Sequence, residues 1–296
     1  MSASIKLLRH QGAMLNTVAS IVLNSLKPRK GDIKEVRLKS NINNIIPNTK
    51  IVNEYHKWLG ATERYPNAIA PHLFPLWSYP DLFKLGEELN LPLHKVLNQG
   101  VKLIINDKLP QNSPLNTKIE ILDVKNFDKK YRINQRITTS SRLDPEALVA
   151  EIYAVILKDA KSALGKSKVT KVFDTSKLSL ISSLVVSKQD AQSYAYLSGD
   201  VNPIHLSKNI AKLMGLKGSI MHGFGLFAIL FENLSNAGFD IKEIDVRFLN
   251  PVYLGSSIEI FVGKITEEKY SIRVFSSDHK TVHLSGDFKI APKTLH

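Results

Sequence analysis

The chain has 296 residues, 43% hydrophobic and 23% charged, with no cysteine, a formal charge of +13 and a pI near 9.6. Disulfides, thiolate metal sites and a cysteine nucleophile are therefore excluded, and no apolar run approaches the ~20 residues of a membrane-spanning helix. The length suits two domains better than one, and the positive field favours polyanions: nucleic acid, an anionic membrane, phosphorylated cofactors or an acidic carrier protein, among which the sign alone does not choose.

The first acidic residue is Asp32, so residues 1–31 form a basic arm: Lys6, Arg9 and Lys27-Pro-Arg-Lys30 flank the apolar stretch Met14 to Leu26. We expect a helix docked on the body and ended near Pro28. An acid-free start also keeps organellar targeting open beside a cytoplasmic location. The lysines are spread along the chain rather than gathered with aromatics, which argues against nucleic acid.

Glu35 to Lys39 alternates weakly as a strand, and Ile51 to Leu59 reads as a helix stopped by Gly60. Tyr65 to Pro80, with four prolines among aromatics, is expected as a packed wall or lid. Asp81 is a candidate N-cap for a helix through Leu89, ended by Asn90 and Pro92. Strands are expected at Gln99–Leu109, Leu115–Val124, Lys130–Thr138 and Ala147–Leu157, and the last is apolar on both faces. Lys158 to Lys171 reads as linker. The predicted units are 1–31, 32–160, a linker at 161–171, and 172–296.

The second unit opens with a strand, Leu178–Val186. Ser187 and Asp190 then form a capping box for a helix through Leu197, which leads into the bend Ser198-Gly-Asp200. A short helix is expected from Ser207 to Gly215, and Gly223–Asn233 is an apolar helix that must be surrounded by protein. Strands at Lys242–Leu249, Ser257–Ile265, Lys269–Phe275 and Thr281–Ile290 close the chain. Helices followed by an antiparallel sheet thus occur twice. Trp58-Leu-Gly-Ala-Thr62 aligns with Tyr196-Leu-Ser-Gly-Asp200, so Thr62 and Asn67 stand where the second half has Asp200 and His205.

The chemistry gathers at Ser198-Gly-Asp-Val-Asn-Pro-Ile-His205. Asp200 and His205 can converge on one substrate atom and move a proton near neutrality, while Asn202 and Pro203 stiffen the bend. The helix starting near Gly223 offers unpaired N–H groups to a developing oxyanion. Taken alone, a Gly-Asp-x-Asn-Pro run also describes a surface turn, and a lone histidine is commonly structural. His222 is assigned to packing or loop bracing. Histidine spacing gives no metal signature, and there is no phosphate loop or nucleophile elbow.

These residues resemble the MaoC-like family of (R)-specific enoyl-CoA hydratases and (3R)-hydroxyacyl-thioester dehydratases. The octet 198–205 carries the resemblance, supported by Met221-His-Gly-Phe-Gly225 and Phe248-Leu-Asn-Pro-Val-Tyr-Leu-Gly255. It implies an α+β double hot-dog fold in which each antiparallel sheet wraps a central helix and the first repeat is degenerate. By the same resemblance, Asp200 and His205 form a catalytic dyad supported by Asn202 and Ser198, and the Gly223 N–H polarises a thioester carbonyl. The implied substrate is an acyl-CoA or acyl carrier protein thioester, with no metal or redox cofactor and one active site per chain. A homodimer is compatible. The competing readings are a thioesterase and a non-catalytic acyl-thioester binder.

Overall fold

The computed structural model describes residues 3–25, 32–158 and 173–292. In chain order the first half runs α1 (Gly12–Ser25), β1 (Leu38–Ile45), α2 (Thr49–Trp58), β2 (Ala68–Ile69), α3 (Pro75–Glu88), β3 (Val96–Ile105), β4 (Leu109–Pro110), β5 (Leu115–Asn126), β6 (Lys130–Ser140) and β7 (Leu148–Leu157). The second runs β8 (Ser179–Val185), α4 (Lys188–Ser198), α5 (Pro203–Leu206), α6 (Lys208–Leu213), α7 (Gly223–Asn236), β9 (Ile241–Phe248), β10 (Ser257–Lys264), β11 (Lys269–Ser276) and β12 (Val282–Ile290).

Ten strands form one antiparallel sheet in the order β1-β5-β6-β7-β3-β9-β12-β11-β10-β8. The halves join where β3 pairs with β9, from Gly100 opposite Arg247 to Ile104 opposite Glu243. Period-two burial, as in Leu115, Thr117, Ile119 and Ile121 of β5, turns one face of the sheet inward. Against it lie two central helices, α3 and α7. From Phe224 to Glu232 every residue of α7 is buried, and each large apolar side chain so placed contributes roughly 1.5–3 kcal/mol. This is the expected α+β double hot-dog architecture, except that the two expected sheets are continuous through the β3–β9 pairing.

Several boundaries differ from the sequence reading. The segment Tyr65–Pro80 is not wholly irregular, because α3 already begins at Pro75 rather than after Asp81. Proline is well tolerated at a helix's first position, where its missing N–H would have no partner anyway. Pro80 lies inside the helix, one turn further on, and is buried with Tyr79 and Ser78. The remainder of the segment does form a wall, with Ala68 to Phe74 buried. The first strand starts at Leu38, three residues later than Glu35, and runs on to Ile45.

The amino-terminal arm is docked, as expected. The backbone N–H of Ala3 donates to the Ser193 hydroxyl at 3.0 Å, and the Gln11 amide donates to the Leu197 carbonyl at 2.6 Å. Pro28 and the linker at 161–171 lie outside the described residues. Among the described residues no helix is long and apolar enough to cross a membrane.

Candidate active site

The bend is held from both sides. Ser187 caps α4 in a reciprocal box with Asp190, whose other carboxylate oxygen accepts from the Trp58 indole of the first half at 3.2 Å. The helix ends at Gly199, at φ +77°, a left-handed conformation that costs other residues roughly 1–2 kcal/mol. The Ser198 hydroxyl donates to the Tyr194 carbonyl at 2.7 Å and accepts from the Asp200 N–H at 3.2 Å. These two bonds tie the end of α4 to the main chain of Asp200. One carboxylate oxygen of Asp200 accepts from the Asn202 N–H at 3.3 Å.

The single turn α5 was absent from the sequence reading. Asn202 caps it, accepting from the Ile204 N–H at 3.3 Å, and Pro203 occupies its first position. The turn aims His205 inward, where it is 8% exposed. Its Nδ1 lies 2.9 Å from the Ile220 carbonyl. A carbonyl only accepts, so Nδ1 carries the proton and Nε2 of the neutral ring is a bare base. Burial lowers the His205 pKa below its ordinary value, against the opposing pull of Asp200.

His222 stacks on this ring, centroids 3.7 Å apart and planes inclined by 25°. Its Nε2 donates to the Asp200 carbonyl at 3.0 Å, and its buried Nδ1 has no partner among the described residues. Burial, then the neighbouring His205, hold its pKa well below the usual range. His222 thus braces the bend, as expected, and it does so through the main chain of the acid itself.

Gly223 opens α7 behind His222, where the first-turn N–H groups have no partner in the helix ladder. A Cβ at Gly223 would stand 2.8 Å from the Phe248 ring, so only glycine leaves this approach open. The third sequence motif braces the same spot. Met221 N–H donates to the Val252 carbonyl at 2.8 Å, Ile220 bridges Tyr253, and Leu254 N–H donates to the Ser219 carbonyl at 3.0 Å.

Ligand-type atoms of Asp200, His205 and His222 lie within 4.8 Å of one another, the one such trio among the described residues. It does not fit a cation as it stands. Rings inclined by 25° and stacked at 3.7 Å have planes that meet far beyond the ~2.0–2.1 Å at which imidazole nitrogen binds zinc. A carboxylate, a bare imidazole nitrogen and a free helix N-terminus instead suit proton transfer beside a developing oxyanion.

In the first half, Thr62 and Asn67 are both exposed and make no comparable pair. A buried polar cluster stands nearby that the sequence reading missed. Glu232, in the middle of α7, accepts from the Tyr65 hydroxyl at 2.6 Å, His72 Nε2 at 2.8 Å and Arg64 Nε at 3.0 Å. His72 Nδ1 in turn lies 2.9 Å from the Tyr55 hydroxyl. The signal was one acid in an otherwise apolar helix.

Residues 171–285 match the family model described as MaoC like domain, so the second half carries a MaoC-like domain. Over 81 residues the chain is 33% identical to the Drosophila melanogaster peroxisomal multifunctional enzyme type 2, covering 26% of this chain and 14% of that protein. Over 90 residues it is 31% identical to a probable enoyl-CoA hydratase 2 of Dictyostelium discoideum, covering 29% and 31%. Both alignments thus span less than a third of those relatives. Over 114 residues it is 29% identical to an Arabidopsis thaliana mitochondrial 3-hydroxyacyl-[acyl-carrier-protein] dehydratase, covering 35% and 68%. Solved structures extend the likeness to the fold. HtdX of Mycobacterium tuberculosis superposes with a TM-score of 0.69 at 15% identity, covering 86% of this chain and all 100% of that one. Another protein of that bacterium, described as having a double hotdog fold, gives 0.53 at 12% identity, covering 86% and 96%.

Proposed function

We propose that the MaoC-like domain hydrates trans-2-enoyl thioesters to (3R)-hydroxyacyl thioesters by reversible syn addition, with CoA or an acyl carrier protein as the thiol. The observation that carries this reading is the grouping of an Asp200 carboxylate oxygen with a ring nitrogen of His205, within 4.8 Å, beside the open N-terminus of α7. The names of the Dictyostelium and Arabidopsis relatives support it.

In this mechanism the Gly223 N–H holds the thioester carbonyl and draws charge from the double bond, leaving C3 electrophilic. Asp200 and His205 hold a water on one face. The water loses a proton to the dyad as its oxygen bonds to C3, the electron pair moves to the thioester oxygen, and the dyad returns a proton to C2 as the carbonyl re-forms. Asn202 and Ser198 keep the bend rigid. Dehydration is the same path reversed. No redox or metal step is needed.

We assign catalysis to 172–296 and a non-catalytic, supporting role to 32–160, with the join at 161–171. A cytoplasmic setting and a homodimer complete the reading; cell fractionation and light scattering test them.

Loss of the enoyl-thioester ultraviolet band on crotonyl-CoA tests the function. Asp200→Asn and His205→Ala should each reduce the rate by at least roughly 100-fold while the protein stays folded. Unchanged rates in both would sink the mechanism. Free thiol appearing with the enoyl substrate would mean hydrolysis, and binding without turnover would mean a binder.

A further inference from the structure

From Val201 to Phe231 the chain has no Asp or Glu, but it carries Lys208, Lys212 and Lys217, all exposed. Among the described residues no carboxylate pairs with any of the three. Within this stretch α6 is built inside out. Ile210, Leu213 and Met214 are 41%, 86% and 64% exposed, and their spacing of three and four places them on one helix face. Ala211 alone turns fully inward. Apolar side chains grouped on one outward face and rimmed by one sign of charge mark a surface made for a partner.

The patch is tied to the dyad. Ser207, two residues after His205, caps α6 through the Ile210 N–H at 3.4 Å, and Leu216 N–H donates to the Ala211 carbonyl at 3.0 Å. The segment then returns through Ile220, whose carbonyl holds His205. By helical rise, with one extended residue at Ser207, Leu213 lies at most roughly 14 Å along the chain from His205.

Resting on the hydratase reading, we propose that α6 and the turn to Lys217 are the docking surface for an acidic carrier protein that presents the enoyl group on a flexible arm. A coenzyme nucleotide brings phosphates, which would satisfy the lysines, but a convex helix face gives it no pocket for its base. An acidic helix with a few apolar residues satisfies both features at once: carboxylates meet Lys208, Lys212 and Lys217, and apolar side chains cover Leu213 and Met214.

The test compares the same crotonyl group carried by an acidic phosphopantetheine carrier protein, by CoA and by pantetheine. Two surface variants are used, Lys208→Glu/Lys212→Glu/Lys217→Glu and Leu213→Ser/Met214→Ser. Each should lower kcat/KM for the carrier-protein substrate by roughly tenfold or more and leave pantetheine within about twofold. An equal fall with CoA, or no fall with the carrier protein, overturns the proposal. So does a wild-type dimer that Leu213→Ser/Met214→Ser dissociates with carrier rates unchanged, since the patch would then be a self-interface. If the wild-type protein turns over none of the three substrates, the hydratase reading fails, and titration with the unacylated carrier protein decides the surface alone. Binding that both variants weaken roughly tenfold supports it, and no binding by the wild type overturns it.

Discussion

Gly223→Ala is the sharpest perturbation of the proposed oxyanion site. The added methyl would sit 2.8 and 2.9 Å from two atoms of the Phe248 ring and 3.4 Å from a third. Ordinary contact begins near 3.4 Å, so the ring must retreat by about half an ångström from its edge-to-face packing on Phe224, at 5.9 Å. Overpacking of this kind costs roughly 1–3 kcal/mol, and alanine returns up to about 1 kcal/mol over glycine in a helix, so the net loss of stability should be about 0–2 kcal/mol. The effect on catalysis should be larger. The N–H survives, but a Cβ beside it holds the thioester carbonyl away, and loss of one oxyanion donor reduces kcat by roughly 100- to 1,000-fold. Crotonyl-thioester hydration and urea unfolding measure the two effects separately. The control is Gly223→Ala/Phe248→Leu, which relieves the clash. Stability should return to that of Phe248→Leu while kcat stays low. If kcat also returns, or if Gly223→Ala alone stays within threefold of wild type, carbonyl approach at Gly223 is not what the glycine is for.

The Glu232 cluster should matter for stability. Glu232→Ala strands three donors from the other half of the chain, Tyr65, His72 and Arg64, and should cost about 3–5 kcal/mol in urea unfolding; a loss below about 1 kcal/mol would mean the cluster is not a clamp. His56 sets an acid limit. Burial lowers its pKa to about 4 from 6.5, and it is 3% exposed, its Nε2 accepting from the Ala70 N–H. The unfolded chain therefore takes up a proton below pH 6.5 that the folded chain refuses until about pH 4. Stability is complete above pH 6.5 and falls by about 3 kcal/mol on the way down. His56→Gln should flatten that part of the wild-type pH–stability curve, and an unchanged slope would refute the assignment. For activity, the lowered His205 pKa keeps Nε2 bare below the usual histidine range. The acid limb of kcat/KM should lie below pH 6.5, and a limb above it would contradict a neutral base.

What was legible in the chain is what depends on neighbours in sequence. The Ser187–Asp190 box, the Gly199 bend, the Ser207 cap and the apolar run of α7 rest on local hydrogen bonds and periodicity, and each stands in the structure. The features that escaped rest on distant partners. Four prolines made Tyr65–Pro80 read as a wall or lid without an element of its own, yet the surrounding core holds α3 from Pro75 on through Pro80. The stacking of His205 on His222 and the Glu232 cluster join residues that no periodicity connects; Tyr65 and Glu232 are 167 positions apart. The expected short helix after Ser207 is present, but which side of α6 faces solvent follows only from where Ala211 packs.

One proposed site per chain finds further support in the first turn of each central helix. α7 begins with Gly223, which has an N–H and no side chain. α3 begins with Pro75, which has no N–H and carries a ring at the corresponding first helical position. In the proposed reading, the first half has no counterpart of the Gly223 N–H at its first helical position, nor of the acid and base, where it carries Thr62 and Asn67. What it supplies instead is wall. Phe74 and Tyr79 each meet Phe224 edge-on at 5.7 Å, and Trp58 meets Tyr194 at 6.0 Å while bonding the Asp190 cap. All of these contacts bear on the start of α7 or on the helix that delivers Asp200. The aromatic rings that pack on Phe224 and Tyr194 thus brace the start of α7 and the helix that leads into the bend. In the proposed reading, a half without catalytic duty can carry Phe74 and Pro75 at its own helix start, where they serve packing.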